Sequence, residues 1–186
     1  MSVDTTALNR DRHDLSGRED VWLFGYGSLI FKADFPFLES SPATIVGWAR
    51  RFWQGSHDHR GTPEAPGRVA TLVRAPGAVC TGLGYRVSPD VFDHLDFREK
   101  NGYLRFTTEM TLADGRHCDG LVYIATEDNQ AYLGPAPESE IALHIARSRG
   151  PSGDNAEYLL RLANALRELD IDDKHVFEIE RYLRSC

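Results

Sequence analysis

Apolar and polar positions along the chain follow two different rhythms. Residues 21–30, 43–52, 68–74, 79–87, 104–112 and 119–126 are rich in Val, Thr, Leu and aromatic side chains, and Gly, Pro or Asp clusters punctuate most of their boundaries. Short runs of that kind read as strands. Asp114-Gly115, between the last two, is a hairpin signal. The final third changes period. Ile141 and Ile145 stand four apart in 138–149, which Gly150-Pro151 should stop. Leu159, Leu162, Leu166 and Leu169 form one stripe in 155–169, and Val176, Ile179 and Leu183 another in 173–184. One helix interrupts the strands. Ser88 is a candidate N-cap, Pro89 fits the first helical position, and Val91, Phe92 and Leu95 share a face. It should end between Arg98 and Asn101, where Asn101-Gly102 can take a left-handed turn. Strands first and helices later predict an α+β domain, a curved or closed, mostly antiparallel sheet with helices outside.

Composition narrows the class. The 186 residues suit one domain over 19–186, and residues 1–18, polar and mixed in charge, read as a disordered N-terminal tail. That tail lacks the apolar stretch of a secretory signal, so a cytoplasmic location is expected. No apolar run approaches the roughly 18 residues of a membrane span. A net charge of −7 argues against a nucleic-acid partner. Between Gly47 and Arg74 the balance reverses: Arg50, Arg51, Arg60, Arg68 and Arg74 face Asp58 and Glu64 alone. Such a window can hold a small anion, or be scattered surface arginines. Cys80, Cys118 and Cys186 form no CxxC and no even set, as in a reduced protein. No apolar stripe is left over once the core helices are assigned, so a monomer is expected.

Three stretches invite chemistry. Gly25-Tyr26-Gly27-Ser28-Leu29 ends an apolar run, and its glycines would let backbone approach a ligand. A nucleotide fingerprint is excluded, because position 30 is Ile and no P-loop lysine follows. What remains is a backbone cradle for a small acid or a structural bulge. His57-Asp58-His59 has no third metal ligand in view, and reads as a polar loop. Asp96, Arg98 and Glu99 close the mid-chain helix. Helix periodicity alone makes them solvated charges; Glu99 gains a role only if that helix end points into a pocket, where burial would raise its pKa. Tyr132 and Tyr158 each follow or flank a turn and could bring a phenol to a site.

Five segments, in this order, resemble the ChaC family of glutathione-specific γ-glutamylcyclotransferases: FGYGSLIFKADFPF (24–37), RRFWQGSHDHRGTPEAPGRVATLV (50–73), LDFREKNGY (95–103), VYIATEDNQAYLGPAP (122–137) and GPSGDNAEYLLRLANALREL (150–169). The resemblance implies a small, mostly antiparallel β-barrel flanked by helices. It implies a carbon–nitrogen lyase that degrades glutathione to 5-oxoproline and L-cysteinylglycine, with no cofactor and no metal. Tyr26, Gly27, Ser28 and Leu29 would line the γ-glutamyl pocket, Glu99 would be the catalytic general base and acid, and Tyr103 and Tyr158 would contact substrate. Glutathione carries two carboxylates, and Arg51 and Arg68, each flanking a strand beside a matching motif, are the arginines assigned to them. Departures are His57 for a more frequent Thr, Asn101 for Gly and Phe31 for Trp. Two other readings stay open: a non-catalytic γ-glutamyl-ligand-binding regulator linked to cation transport, and a cyclotransferase for other γ-glutamyl compounds.

Overall fold

A computed structural model describes residues 4–186. Its centre is a closed five-stranded barrel in the order β1-β3-β2-β4-β5. The strands are β1 (Val21–Gly25), β2 (Glu39–Ser56), β3 (Gly67–Val87), β4 (Tyr103–Leu112) and β5 (His117–Ala125). Neighbours are antiparallel except β1 and β5, which close the barrel in parallel through Trp22–Gly120 and Leu23–Leu121. The expected mostly antiparallel barrel is therefore present.

The sequence divides two of these strands wrongly. Residues 68–74 and 79–87 are one strand, β3, paired with β2 along a long hairpin. The register shifts between Val46 and Trp48, beside Gly47 at φ +92°, and Gly77 at φ +79° sits in the opposing irregularity. A bulge bends a strand without ending it, so the Ala-Pro-Gly cluster at 75–77 is a kink rather than a boundary. Conversely, the 21–30 run stops being a strand at Gly25.

β1 and β5 are buried on both faces, which explains why they read as continuous apolar runs. Trp22, Phe24, Val122 and Ile124 face one core; Val21, Leu23, Leu121 and Tyr123 face the other. The first core is completed by α4 (Glu138–Ala146), α5 (Asn155–Glu168) and α6 (Lys174–Arg184), through Ile141, Ile145, Leu159, Leu162, Leu166, Val176 and Ile179. Cys80 is buried there. Asp173 caps α6 by accepting from Val176 N at 3.0 Å, an arrangement worth about 1 kcal/mol. The second core is covered by α3 (Val91–Arg98), with Val91, Phe92 and Leu95 inward. Its N-cap is Asp90 rather than Ser88, whose carbonyl instead accepts from Val91 N. Two short elements complete the chain: α2 (Ser28–Phe31), and a two-stranded ribbon of β6 (Arg149–Gly150) and β7 (Gly153–Asp154), which takes up the residues expected to end α4. No helix of the described residues is long and apolar enough to cross a membrane.

The tail expectation is corrected. Residues 1–3 lie outside the described residues, but α1 (Thr6–Arg12) is an ordered helix, and Thr5 and Asn9 are buried. Amphipathic periodicity is invisible here because the segment docks through hydrogen bonds rather than an apolar stripe.

Candidate active site

Gly25 ends β1, and two residues later α2 begins with Gly27 as its cap. A Cβ on Gly27 would lie 3.0 Å from Tyr158 Oη and 3.5 Å from Ala70 Cβ. Any larger residue here would crowd the phenol, so glycine lets the loop pass close against it. The loop is pinned from behind by Arg50, which is buried and donates from Nε to Tyr26 O at 2.7 Å, while its Nη1 pairs with Asp173 at 2.5 Å. Tyr26 turns into the barrel and donates to Tyr123 O at 2.6 Å.

The end of α3 meets this loop. Glu99 is the C-cap, its N–H donating to Leu95 O at 2.9 Å. Its side chain is 15% exposed. Burial pushes its carboxyl up to about 7, with Asp58 and Asp34 acting in the same direction and Arg98 and His94 opposing. Arg98 Nε lies 3.5 Å from Glu99 Oε1. The same guanidinium donates to Ser28 Oγ and to Lys32 O, each at 2.9 Å, and pairs with Asp34. Arg98 therefore ties the catalytic candidate to the glycine loop. Asp96, expected to be solvated, is buried instead: it accepts from Tyr123 Oη at 2.6 Å and faces Arg105 Nε at 3.3 Å.

Two tyrosines meet at the backbone of one residue, Ala70. Tyr103 Oη donates to Ala70 O at 2.8 Å, and Ala70 N donates to Tyr158 Oη at 3.3 Å. As an acceptor there, Tyr158 keeps its own O–H to donate. Burial raises the pKa of Tyr26 and Tyr103 well above the usual phenol value and pushes Tyr158 up to about 12. All three are neutral donors near pH 7.

These groups enclose two adjoining cavities, of about 100 and about 30 Å³, which share Ser28, Glu99, Tyr103 and Tyr158. Tyr26, Gly27 and Leu29 line the inner one. Lys32, Arg60 and Arg98 bring positive charge to the outer one, and Phe31 and Val69 supply apolar wall. Asp58 and His59 also line it, and Asn101 donates to the Asp58 carboxylate. Among the described residues, no three His, Cys, Asp or Glu side chains gather closely enough to hold a metal ion.

Arg51 and Arg68 are not brought to either cavity. Val69 lines the outer cavity, so strand alternation turns Arg68 to the other face. There its Nη1 donates to Phe52 O at 3.0 Å and Gly134 O at 2.9 Å, fastening the 131–134 segment. Arg51 Nη1 folds back onto Arg50 O at 2.6 Å. Tyr132 pairs with Gln54 through a backbone bridge and likewise stays outside. The cation that sequence reasoning passed over is Arg60. It is 6% exposed, donates to Asp154 O at 3.0 Å and Glu157 Oε2 at 3.2 Å, and lies over the Tyr158 ring at 5.9 Å. It sat within the basic window, but in a loop whose direction no periodicity reveals.

The same architecture occurs in known proteins. Gamma-glutamylcyclotransferase 2-3 of Arabidopsis thaliana is 45% identical over 176 residues, covering 88% of each chain. Glutathione-specific gamma-glutamylcyclotransferase 1 of Danio rerio is 42% identical over 179 residues, covering 91% of each. A crystal structure of a yeast γ-glutamylcyclotransferase specific to glutathione superposes with a TM-score of 0.80 at 34% identity, over 90% of this chain and 99% of that one. The family model described as ChaC-like protein matches residues 21–186, from the first barrel strand to the last helix and across every cavity-lining residue named above, and the chain belongs to that family.

Proposed function

We propose that this protein is a glutathione-specific γ-glutamylcyclotransferase, releasing 5-oxoproline and L-cysteinylglycine, with Glu99 moving the proton. The observation that carries the reading is a carboxylate buried where the two cavities join, its pKa raised by burial, enclosed with neutral phenols, a glycine loop and cations. Ring closure needs no external nucleophile. The α-amine of the γ-glutamyl residue attacks its own γ-carbonyl, a five-membered lactam forms, and the C–N bond to cysteine breaks. The α-ammonium must first lose a proton and the departing amine must gain one. Glu99 takes the first and returns it to the second, a role suited to a group that titrates close to the working pH. The cavity's further task is to hold the folded conformer, and such orientation lowers barriers by up to about 7–11 kcal/mol.

The γ-glutamyl end is assigned to the inner cavity, against Tyr26, Gly27 and Leu29, with Ser28 and Tyr158 at the junction of the two. Backbone N–H groups of Gly27 to Leu29 stand at the start of α2, the end of a helix where internal acceptors are missing. They are the proposed partners of the α-carboxylate or the oxyanion. Arg60 and Lys32, rather than Arg51 and Arg68, are the cations proposed for the remaining carboxylate. The free thiols of Cys80, Cys118 and Cys186 support a reducing, cytoplasmic setting.

The test is product analysis. Purified protein with glutathione should yield equimolar 5-oxoproline and Cys-Gly without added metal or nucleotide. Glu99→Gln should lower kcat by about 10²–10⁴-fold; turnover near the wild-type rate rejects the role of Glu99. A panel of other γ-glutamyl dipeptides run alongside decides whether the tripeptide is preferred.

A further inference from the structure

The Tyr103–Arg105 end of β4 has β5 on one side. Among the described residues no strand covers its outer edge, because β4 meets β2 only further along, at Ala43–Leu112 and Thr44–Thr111. The N-terminal segment fills that edge with side chains. Asn9, fully buried, donates from Nδ2 to Tyr103 O at 2.9 Å and accepts from Arg105 N at 2.8 Å. Its carboxamide thus stands where the peptide group of a neighbouring strand would stand. Arg12 Nε extends the imitation by donating to Arg105 O at 2.6 Å.

The N-terminal side of this segment is fastened to the turn between Glu99 and Tyr103. Thr5 N donates to Lys100 O at 2.8 Å. Thr5 Oγ1 lies 2.9 Å from both Lys100 O and Tyr103 O, and 3.4 Å from Glu99 O. Asp4 forms a backbone bridge with Asn101. The turn itself passes through Gly102 at φ +93°, the residue type with the least intrinsic preference for one conformation. A permissive turn that carries Glu99 at one end and Tyr103 at the other is therefore held by donors from outside.

We propose that Thr5 and Asn9 are positioning residues for the reaction, holding the 99–103 turn so that Glu99 and Tyr103 stay in their working geometry. This rests on the assignment of Glu99 above. It assigns work to a segment that precedes residues 21–186, the span matched by the family model. Binding groups on other elements, Ser28, Arg60 and Tyr158, do not touch the strap through any of these bonds. Loosening it should therefore reduce the fraction of bound enzyme that can react, more than it weakens binding.

The experiment compares Thr5→Val, which keeps the shape and loses the hydroxyl, with Thr5→Ser, which restores it, and adds Asn9→Ala. Steady-state kinetics on glutathione and the pH profile of kcat/KM are measured below each variant's melting temperature. For Thr5→Val and Asn9→Ala, kcat should fall severalfold, with about tenfold as the ceiling set by one lost hydrogen bond, while KM changes less than about twofold. Thr5→Ser should retain wild-type kcat. The acidic limb should lie at lower pH than in wild type as water reaches the Glu99 carboxyl and relieves the burial that raises it. A lower melting temperature with kcat and pH profile unchanged overturns the proposal, as does a rise in KM at constant kcat. Should Asn9→Ala not fold, the Thr5 pair still decides. Glu99→Gln in the same series separates the two claims. An active Glu99→Gln rejects the proton-transfer assignment, whereas an inactive one beside a fully active Thr5→Val rejects only the strap.

Discussion

Glu99→Gln should make the protein more stable in a pH-dependent way while it removes activity. Burial raises the Glu99 carboxyl from 4.5 to about 7 in the folded chain. This is the opposite of the common salt-bridged acid. Between these two pH values the folded state keeps a proton that the unfolded chain has released. Stability therefore falls as pH rises through that window, and the full loss is present above pH 7. A gap of about 2.5 in pKa, at 1.36 kcal/mol each, sets the cost of ionised Glu99 at about 3 kcal/mol. Gln is nearly isosteric and does not ionise, so it escapes this cost. Urea unfolding of both proteins at pH 4.5 and pH 8, each with its own m-value, measures the difference. The variant should gain about 3 kcal/mol relative to wild type between the two conditions. Other buried acids such as Asp96, also raised by burial, are common to both proteins and cancel. Equal stability differences at both pH values would show that the carboxylate is already solvated, and the account of a sequestered base would be refuted.

Arginine exchanges test which cations serve the substrate. Arg60→Gln should raise KM for glutathione about tenfold or more with a smaller change in kcat, as loss of a charge-assisted carboxylate contact requires. Arg68→Gln should leave KM within about twofold and cost about 1–3 kcal/mol in urea unfolding, because Phe52 O and Gly134 O lose a buried donor. The reverse pattern would restore Arg68 as the substrate arginine. Gly27→Ala places a methyl 3.0 Å from Tyr158 Oη. It should lower kcat/KM about tenfold alone and much less in a Tyr158→Phe background, a coupling read from a double-mutant cycle. Additive losses would mean that the phenol is not what the glycine accommodates.

Local chemistry settled much of this protein before any coordinates. The β4–β5 hairpin follows from two runs rich in Val, Thr, Leu and aromatic residues joined by Asp114-Gly115, where Gly115 takes φ +91° and Leu112 N bonds to Arg116 O at 2.8 Å. The stripes of α5 and α6 follow from 3.6-residue periodicity, and the motif around Glu99 marked the carboxylate. Each of these signals is written within a dozen residues, the range over which dihedral preference and helix or strand period act. Tertiary structure decided what depends on distant partners. Whether Glu99 is wet or enclosed turns on Tyr158, Asp58 and the glycine loop. Arg68 lies away from both cavities because a strand turns neighbouring side chains to opposite faces, and Arg60 lines the outer one because a loop folds over Tyr158. The Ala-Pro-Gly kink in β3 stays a strand since β2 continues beside it. Residues 5–12 resemble a polar tail because the partners that order them, the carbonyls of Lys100 and Tyr103 and the amide of Arg105, lie about a hundred positions away and are backbone groups, which leave no mark in side-chain pattern.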